Sequence, residues 1–247
     1  LQMAAVPLDL APTLRSLLFD RVKTVALTSA TLATGGDFSF LSSRIGLGGS
    51  DSPITLAEVF PSPFDYGAQC LLGVPEDVPD PREDEAGHDA AIVDVVHDLA
   101  FAGDGGIFVL FTSHAALRRA AVTLRSVLGE RFPILVQGEG QRDHLLRRFR
   151  ETGNAILLGT DSFWEGVDVP GRALRGLLLG KIPFRVPTEP ITAAQCEAIE
   201  ADGRDSFSEY MIPHAALRLK QGFGRLIRTG TDRGAVVICD PRVVTKG

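Results

Sequence analysis

Over most of this chain, short apolar runs alternate with stretches in which apolar positions recur every three or four residues. Continuous runs at residues 106–111, 134–136, 155–158, 174–179 and 235–239 predict buried strands. Between them, helical spacing predicts helices at 113–128, 142–150, 191–201 and 213–228, with Ser113 as a cap for the first. Upstream, Ile92, Val93, Val96, Leu99 and Ala100 mark a helix over 90–102. The earlier chain is less regular. Pro12 suits the first turn of a helix reaching about residue 21, and residues 22–27 predict a buried strand. Residues 35–74 are mixed, with a short helix near 38–45 and a strand near 69–74. Apolar strands separated by helices imply a parallel sheet covered on both faces, whose functional loops lie beyond the carboxyl ends of the strands.

Composition narrows the class without choosing a function. At 247 residues, 45% hydrophobic and 23% charged, the chain has the material for one large domain or two small ones. No apolar run reaches the roughly 18 residues of a membrane span. The start lacks a charged n-region and a long apolar h-region, so secretion is not expected. Cys70, Cys196 and Cys239 are scattered, which fits small buried hydrophobes in a reducing cytoplasm. A first residue of Leu1 fits a fragment. The net charge of −6 argues against indiscriminate binding of polyanions. Much of the acid lies in 76–89, where Pro75, Pro79 and Pro81 predict a solvated loop.

Two motifs resemble nucleotide-binding elements and fail on inspection. In Gly176-Leu-Leu-Leu-Gly180-Lys181-Ile182 the glycines are too close for a phosphate loop, and Ile182 stands where a magnesium-binding hydroxyl belongs. Asp84-Glu-Ala-Gly-His88 resembles an acidic box but follows no apolar strand. The tract Gln221-Gly-Phe-Gly-Arg-Leu-Ile-Arg228 is more informative. It sets a Gln and two Arg on one predicted helix, and forked guanidiniums suit the oxygens of a transferring phosphoryl group.

Four strand-end segments stand in order along the chain: Thr28-Ser-Ala-Thr-Leu32, Leu110-Phe-Thr-Ser-His114, the stretch from Leu158 to Gly171, and the Gln221 tract. Together they resemble motifs III, IV, V and VI of superfamily 2 helicases. The Phe163-Trp-Glu-Gly-Val-Asp168 form of the third, with Lys181-Ile-Pro-Phe-Arg-Val-Pro187 after it, resembles the DinG branch of the DinG/XPD helicases. The likeness covers nearly the whole chain.

The resemblance implies an α/β fold: a RecA-like parallel sheet with helices on both faces, in three αβα layers. It identifies the chain as a second RecA-like motor domain. Residues 1–103 would carry motif III and the acidic linker, and 104–247 the core with motifs IV to VI. ATP with Mg2+ would lie against a first RecA-like domain of the same polypeptide, which supplies the phosphate loop and the metal. By the same likeness Arg228, and then Arg225, are arginine-finger candidates. Gln221, Gly166, Asp168 and Glu165 fall on the nucleotide side, Asp168 where a ribose hydroxyl would be accepted; Glu165 could instead link that side to DNA.

Thr112, Ser113, Thr160 and Ser162 fall where the family touches the backbone of single-stranded DNA. Gly138, with Gly140, would let a phosphodiester come close, or form an ordinary turn. Ser29 and Thr31 would couple the two domains, or form a plain strand-end turn. Phe163 and Trp164 would stack on an unpaired base or pack beneath the loop. The family's usual direction is 5′ to 3′. Three scattered cysteines cannot supply the four-cysteine iron–sulfur set that some members carry. The chain alone is expected to be inactive as an ATPase. The alternative is a stand-alone RecA-like module that binds nucleic acid or a partner without catalysis.

Overall fold

The structure is a computed structural model that describes residues 5, 7–48, 53–54, 56–160, 163, 169 and 173–245. Six strands form one sheet: β1 (Cys70–Gly73), β2 (Ile107–Phe111), β3 (Ile134–Val136), β4 (Ile156–Thr160), β5 (Gly176–Leu179) and β6 (Gly234–Ile238). Their order is β1-β6-β5-β2-β4-β3, and every pairing is parallel. All carboxyl ends therefore open on one edge, which is where the helicase-like segments at the ends of β2 and β4 emerge.

The apolar runs become strands because both faces find cover. Ile107, Val109 and Phe111 of β2 join one buried cluster with Val96 and Ala100 of helix Glu85–Gly103 and Leu117 and Leu124 of helix His114–Leu128. Phe108 and Leu110, pointing the other way by the two-residue period of a strand, are also buried. The chain moves outward from β2 to β3 and then back to β4. Right-handed crossovers in opposite directions put the two connecting helices on opposite faces. Helix Arg142–Thr152 accordingly buries Leu145, Leu146 and Phe149 away from that cluster.

The chain divides into two compact units. Residues 62–183 and 222–247 form the sheet unit; residues 1–61 and 184–221 form a smaller one. The smaller unit holds the helical turn Ala11–Leu14 running into a π-turn Arg15–Phe19, helix Ser39–Ile45 and helix Pro190–Ala201. A second π-turn, Phe207–Met211, leads into helix Ile212–Leu226, whose residues up to Gln221 belong here. Ile199, Tyr210 and Met211 form its buried cluster, flanked by Phe184 and Cys196.

Three expectations change. Residues 22–27 form no strand: the run has no regular structure, with a bend at Lys23, and Val22 and Leu27 are exposed. A strand needs a neighbour to pair its backbone, and none of the described strands pairs with this run. The acidic stretch is only partly a loop, because a helix starts at Glu85. Asp84 accepts the Gly87 N–H at 2.8 Å, and acid suits the positive end of a helix. Finally, helix Ile212–Leu226 stops short of Arg228. The helix-face argument thus holds for Gln221 and Arg225, while Arg228 is placed by the turn that follows. Of the cysteines, Cys239 is in the core, its thiol pushed up to about 12 by burial and by Asp240 beside it; Cys70 and Cys196 are half-buried.

Candidate nucleic-acid and nucleotide sites

At the sheet's carboxyl edge, register brings distant segments together. Phe111 pairs with Thr160, and Val136 with Leu158, so Thr112 and Ser113 after β2, Gln137 and Gly138 after β3, and Thr160 at the end of β4 are gathered on neighbouring strands. Ser113 is the N-cap of helix His114–Leu128, its Oγ accepting the Ala116 N–H at 3.2 Å. That bond uses a lone pair and leaves the hydroxyl proton for another acceptor. The first turn of the same helix points unpaired N–H groups and the positive end of its dipole outward, a setting that favours a phosphate. Gly138 has φ +96°, a conformation that favours glycine, and a Cβ there would meet nothing within 4 Å. Both readings of this glycine are therefore compatible: a turn that needs it and an open space in front of it.

Thr160 is differently placed. Its N–H and its hydroxyl both donate to Gln137 Oε1, at 2.7 and 3.0 Å, and it is buried. With its one hydroxyl proton given to Gln137, it has none to offer a phosphate in this state; the two bonds tie the end of β4 to the residue after β3. Gln137 was not singled out by the sequence, and its only signal there is a polar side chain directly after a buried strand. Phe163 is buried against Phe108, ring centroids 6.2 Å apart, with the Arg142 guanidinium 5.6 Å from its own ring centroid. Its ring is thus packed inside the sheet unit. Ser162, Trp164, Glu165, Gly166 and Asp168 lie outside the described residues.

Two further groupings concern the nucleotide side. In the smaller unit, Gln221 Nε2 donates to Thr31 Oγ1 at 3.4 Å, across 190 residues of sequence. Thr31 Oγ1 in turn lies 3.3 Å from Ser29 Oγ, which accepts the Thr31 N–H. Three predicted residues from two segments thus form one polar chain. In the sheet unit, Arg228 is half-buried beyond the helix end, and its N–H donates to Asp232 Oδ2 at 2.9 Å. The Thr229 N–H reaches the same oxygen at 2.8 Å. Burial works against the charged Asp232 carboxyl, yet these amides and the Thr229 hydroxyl hold it below the usual range. Gln69, buried before β1, donates to the Thr229 and Asp232 carbonyls at 2.9 and 3.0 Å. Asp232 and Gln69 together fix the turn that carries Arg228, and neither is legible as a site residue in the sequence. The side chain of Arg225 lies outside what is described.

Beside β5, Asp240 is wholly buried and accepts the Ile182 N–H at 2.9 Å and two Arg242 guanidinium bonds at 2.8 and 2.6 Å. It ties the end of β6 to the segment after β5. The would-be phosphate loop is strand: Leu177, Leu178 and Leu179 are buried in β5, leaving no cradle. The would-be acidic box is the start of a helix: Asp84 caps it, and Glu85 pairs with Arg119 at 2.5 Å, as does Asp89 beyond the box at 2.6 Å. Among the described residues no three His, Cys, Asp or Glu gather to hold a metal ion, and no helix is long and apolar enough to cross a membrane.

The helicase C-terminal domain family matches residues 96–247. The Escherichia coli K12 protein named ATP-dependent DNA helicase YoaA is 38% identical over 99% of this chain, which covers 37% of that protein. A Bacillus subtilis DinG, named a 3′-5′ exonuclease, is 36% identical over 98% of the chain, which covers 26% of it. The chain thus spans well under half the length of these relatives. A solved XPD helicase structure aligns with 70% of this chain and 32% of its own length, at 17% identity and a TM-score of 0.56, a likeness of fold.

Proposed function

Because the chain belongs to the helicase C-terminal domain family, of DinG/XPD type, we propose that it is the second motor domain of an ATP-dependent DNA helicase. It grips single-stranded DNA and completes an ATP site that a first RecA-like domain of the same polypeptide holds. The observation that carries this reading is the bond from Gln221 to Thr31, which joins the motif VI-like and motif III-like segments through exposed polar side chains.

In this reading Arg228, with Arg225 behind it, neutralises charge developing on the γ-phosphoryl group. Gln221, Gly166, Asp168 and Glu165 face the nucleotide, and Ser29 and Thr31 transmit closure. Thr112, Ser113, Gly138 and Ser162 meet the DNA backbone, while Thr160 holds Gln137 and so joins the ends of β3 and β4. Mg2+ is held by the first domain, whose phosphate loop this chain does not supply. Residues 1–103 lead into a core at 104–247, and the motor moves 5′ to 3′.

ATP turnover tests the whole scheme. The 247-residue chain alone should hydrolyse no ATP above background, and joining it to a first domain with a phosphate loop should restore DNA-stimulated hydrolysis. In the joined protein Arg228→Ala should lower turnover by roughly 10³-fold. A loss under about tenfold would move the finger to Arg225. Full turnover by the isolated chain would sink the shared-site reading, and a joined protein without turnover would leave a binding module.

A further inference from the structure

The motor reading leaves one motif of the sheet unit without a role, the segment Lys181-Ile182-Pro183 that follows β5. β5 and β2 are neighbours, and Leu179 pairs with Leu110. From their carboxyl ends the chain leaves in opposite directions across the sheet, towards β6 on one side and β3 on the other. Adjacent strands of that kind leave a crevice beyond their ends, the usual ligand position in an open parallel sheet. Continued by two residues, the same register sets Lys181 level with Thr112, on strands about 4.8 Å apart.

The backbone on either side of Lys181 is pinned. The Gly180 N–H donates to the Leu110 carbonyl at 2.9 Å, which holds the segment to β2. A Cβ at Gly180 would meet Ile92 Cδ1 at 3.1 Å and the Leu110 oxygen at 3.4 Å, so this close approach favours glycine. On the other side the Ile182 N–H donates to Asp240 Oδ2 at 2.9 Å, and the Cys239 N–H to the Leu179 carbonyl at 2.8 Å. Asp240 is wholly buried, and a buried carboxylate is costly unless its oxygens are bonded. Arg242 and the Ile182 amide supply those bonds, so a costly group fixes one backbone position beside the crevice. Every residue of this arrangement belongs to the sheet unit.

We propose that Lys181 is a further phosphate-contacting residue on the single-stranded DNA path, beside Thr112 and Ser113, and that Asp240 is its positioning residue. The inference rests on the reading of this edge as the DNA side, and it adds a cation to that side. Thr112, Ser113 and Gly138 offer hydroxyls, amides and open space but no charge. Lysine is a compact point charge with three rotatable donors, which accepts many phosphate geometries, whereas a guanidinium fork fixes one. A contact of the first kind suits a strand that has to advance past it. Lys181 is half-buried, so part of its surface is open to a ligand.

Salt dependence reads this contact directly. Binding of a fluorescein-labelled oligothymidylate to the 247-residue chain, and to the joined protein, can be followed by anisotropy between about 50 and 200 mM salt. Each phosphate neutralised on a single strand contributes about 0.7 to the slope of log affinity against log salt. Lys181→Gln should therefore lower the size of that slope by about 0.7 with thermal unfolding unchanged, and Lys181→Arg should restore it. Lys181→Met, which keeps the apolar stem, gives the same reading should the Gln variant fail to fold. Asp240→Asn should weaken binding in the unaltered background and add nothing to Lys181→Gln; equal weakening in both would remove its positioning role. Arg131 precedes β3 at the amino edge of the sheet, so Arg131→Gln should leave the slope as it is. An equal fall in that variant would mean an effect of overall charge and overturn the contact, as would a slope that Lys181→Gln leaves unchanged. If neither the chain nor the joined protein binds the oligonucleotide, the DNA reading itself fails, and this contact with it.

Discussion

Within each of the two units of this chain a different force dominates. In the sheet unit, β2, β4 and β5 are buried along their whole length, between helices that present apolar stripes. In the smaller unit the buried cluster is Ile199, Tyr210 and Met211, while Leu17, Leu56 and Phe60 remain exposed. Its helices meet instead through Arg44, Arg185, Tyr210 and His214. Area removed from water is a non-directional force that ignores protonation. Guanidinium and imidazole contacts depend on which groups carry charge. The first unit should therefore respond to lost volume, and the second to lost or gained charge.

The largest expected effect is on volume. Leu158 is fully buried in β4 within the main cluster, so Leu158→Ala should cost about 2–5 kcal/mol in denaturant unfolding. Ile199→Ala, in the small cluster, should fall at or below about 2 kcal/mol, since a thin core can collapse around the gap. Equal losses at the two sites would remove the contrast. Next in size comes a polar clamp inside the sheet unit. Asp232→Ala leaves the Arg228 and Thr229 amides without their acceptor. Turnover of the joined protein should fall roughly tenfold through misplacement of Arg228, with faster hydrogen exchange at those two amides. Unchanged exchange would show that Asp232 does not hold the turn.

What could be read from the sequence follows the same division. All five strands predicted in the sheet core are present, within a residue or two, because each apolar run there finds both a pairing neighbour and covered faces. Residues 22–27 carry the same apolar signal and form no strand, because pairing depends on a neighbour that hydrophobicity does not encode. The site was legible where a side chain acts through its own segment, as Ser113 does in capping its helix. It was not legible where the partner is far away. Gln137 holding Thr160, Gln69 bridging Thr229 and Asp232, and Arg44 beside Tyr210 all depend on the finished fold. Helix spacing also misplaced Arg228, since periodicity runs on through Ile227 while the backbone turns away after Leu226.

Acid provides the gentlest test of the contrast. His214 has a folded pKa near 4 against an ordinary value of 6.5, so the unfolded chain binds more protons between those limits. The neutral imidazole's contribution is intact above pH about 6.5 and is lost progressively as pH falls towards 4. Asp240 behaves differently. Burial opposes its charge, yet Arg242 and the Ile182 N–H hold its carboxyl below the usual range. Its contribution persists above an ordinary carboxyl pKa of about 3.9 and is lost only below that. Lowering the pH from 7 to about 4.5 should therefore loosen the smaller unit before the sheet unit. Fluorine-labelled tyrosine separates the two, since Tyr66 lies in the sheet unit and Tyr210 in the smaller one. The Tyr210 signal should give the earlier acid midpoint, and His214→Phe should move it towards that of Tyr66. Coincident midpoints in the unaltered chain would mean that the units unfold as one and that the imidazole does not set the acid limit.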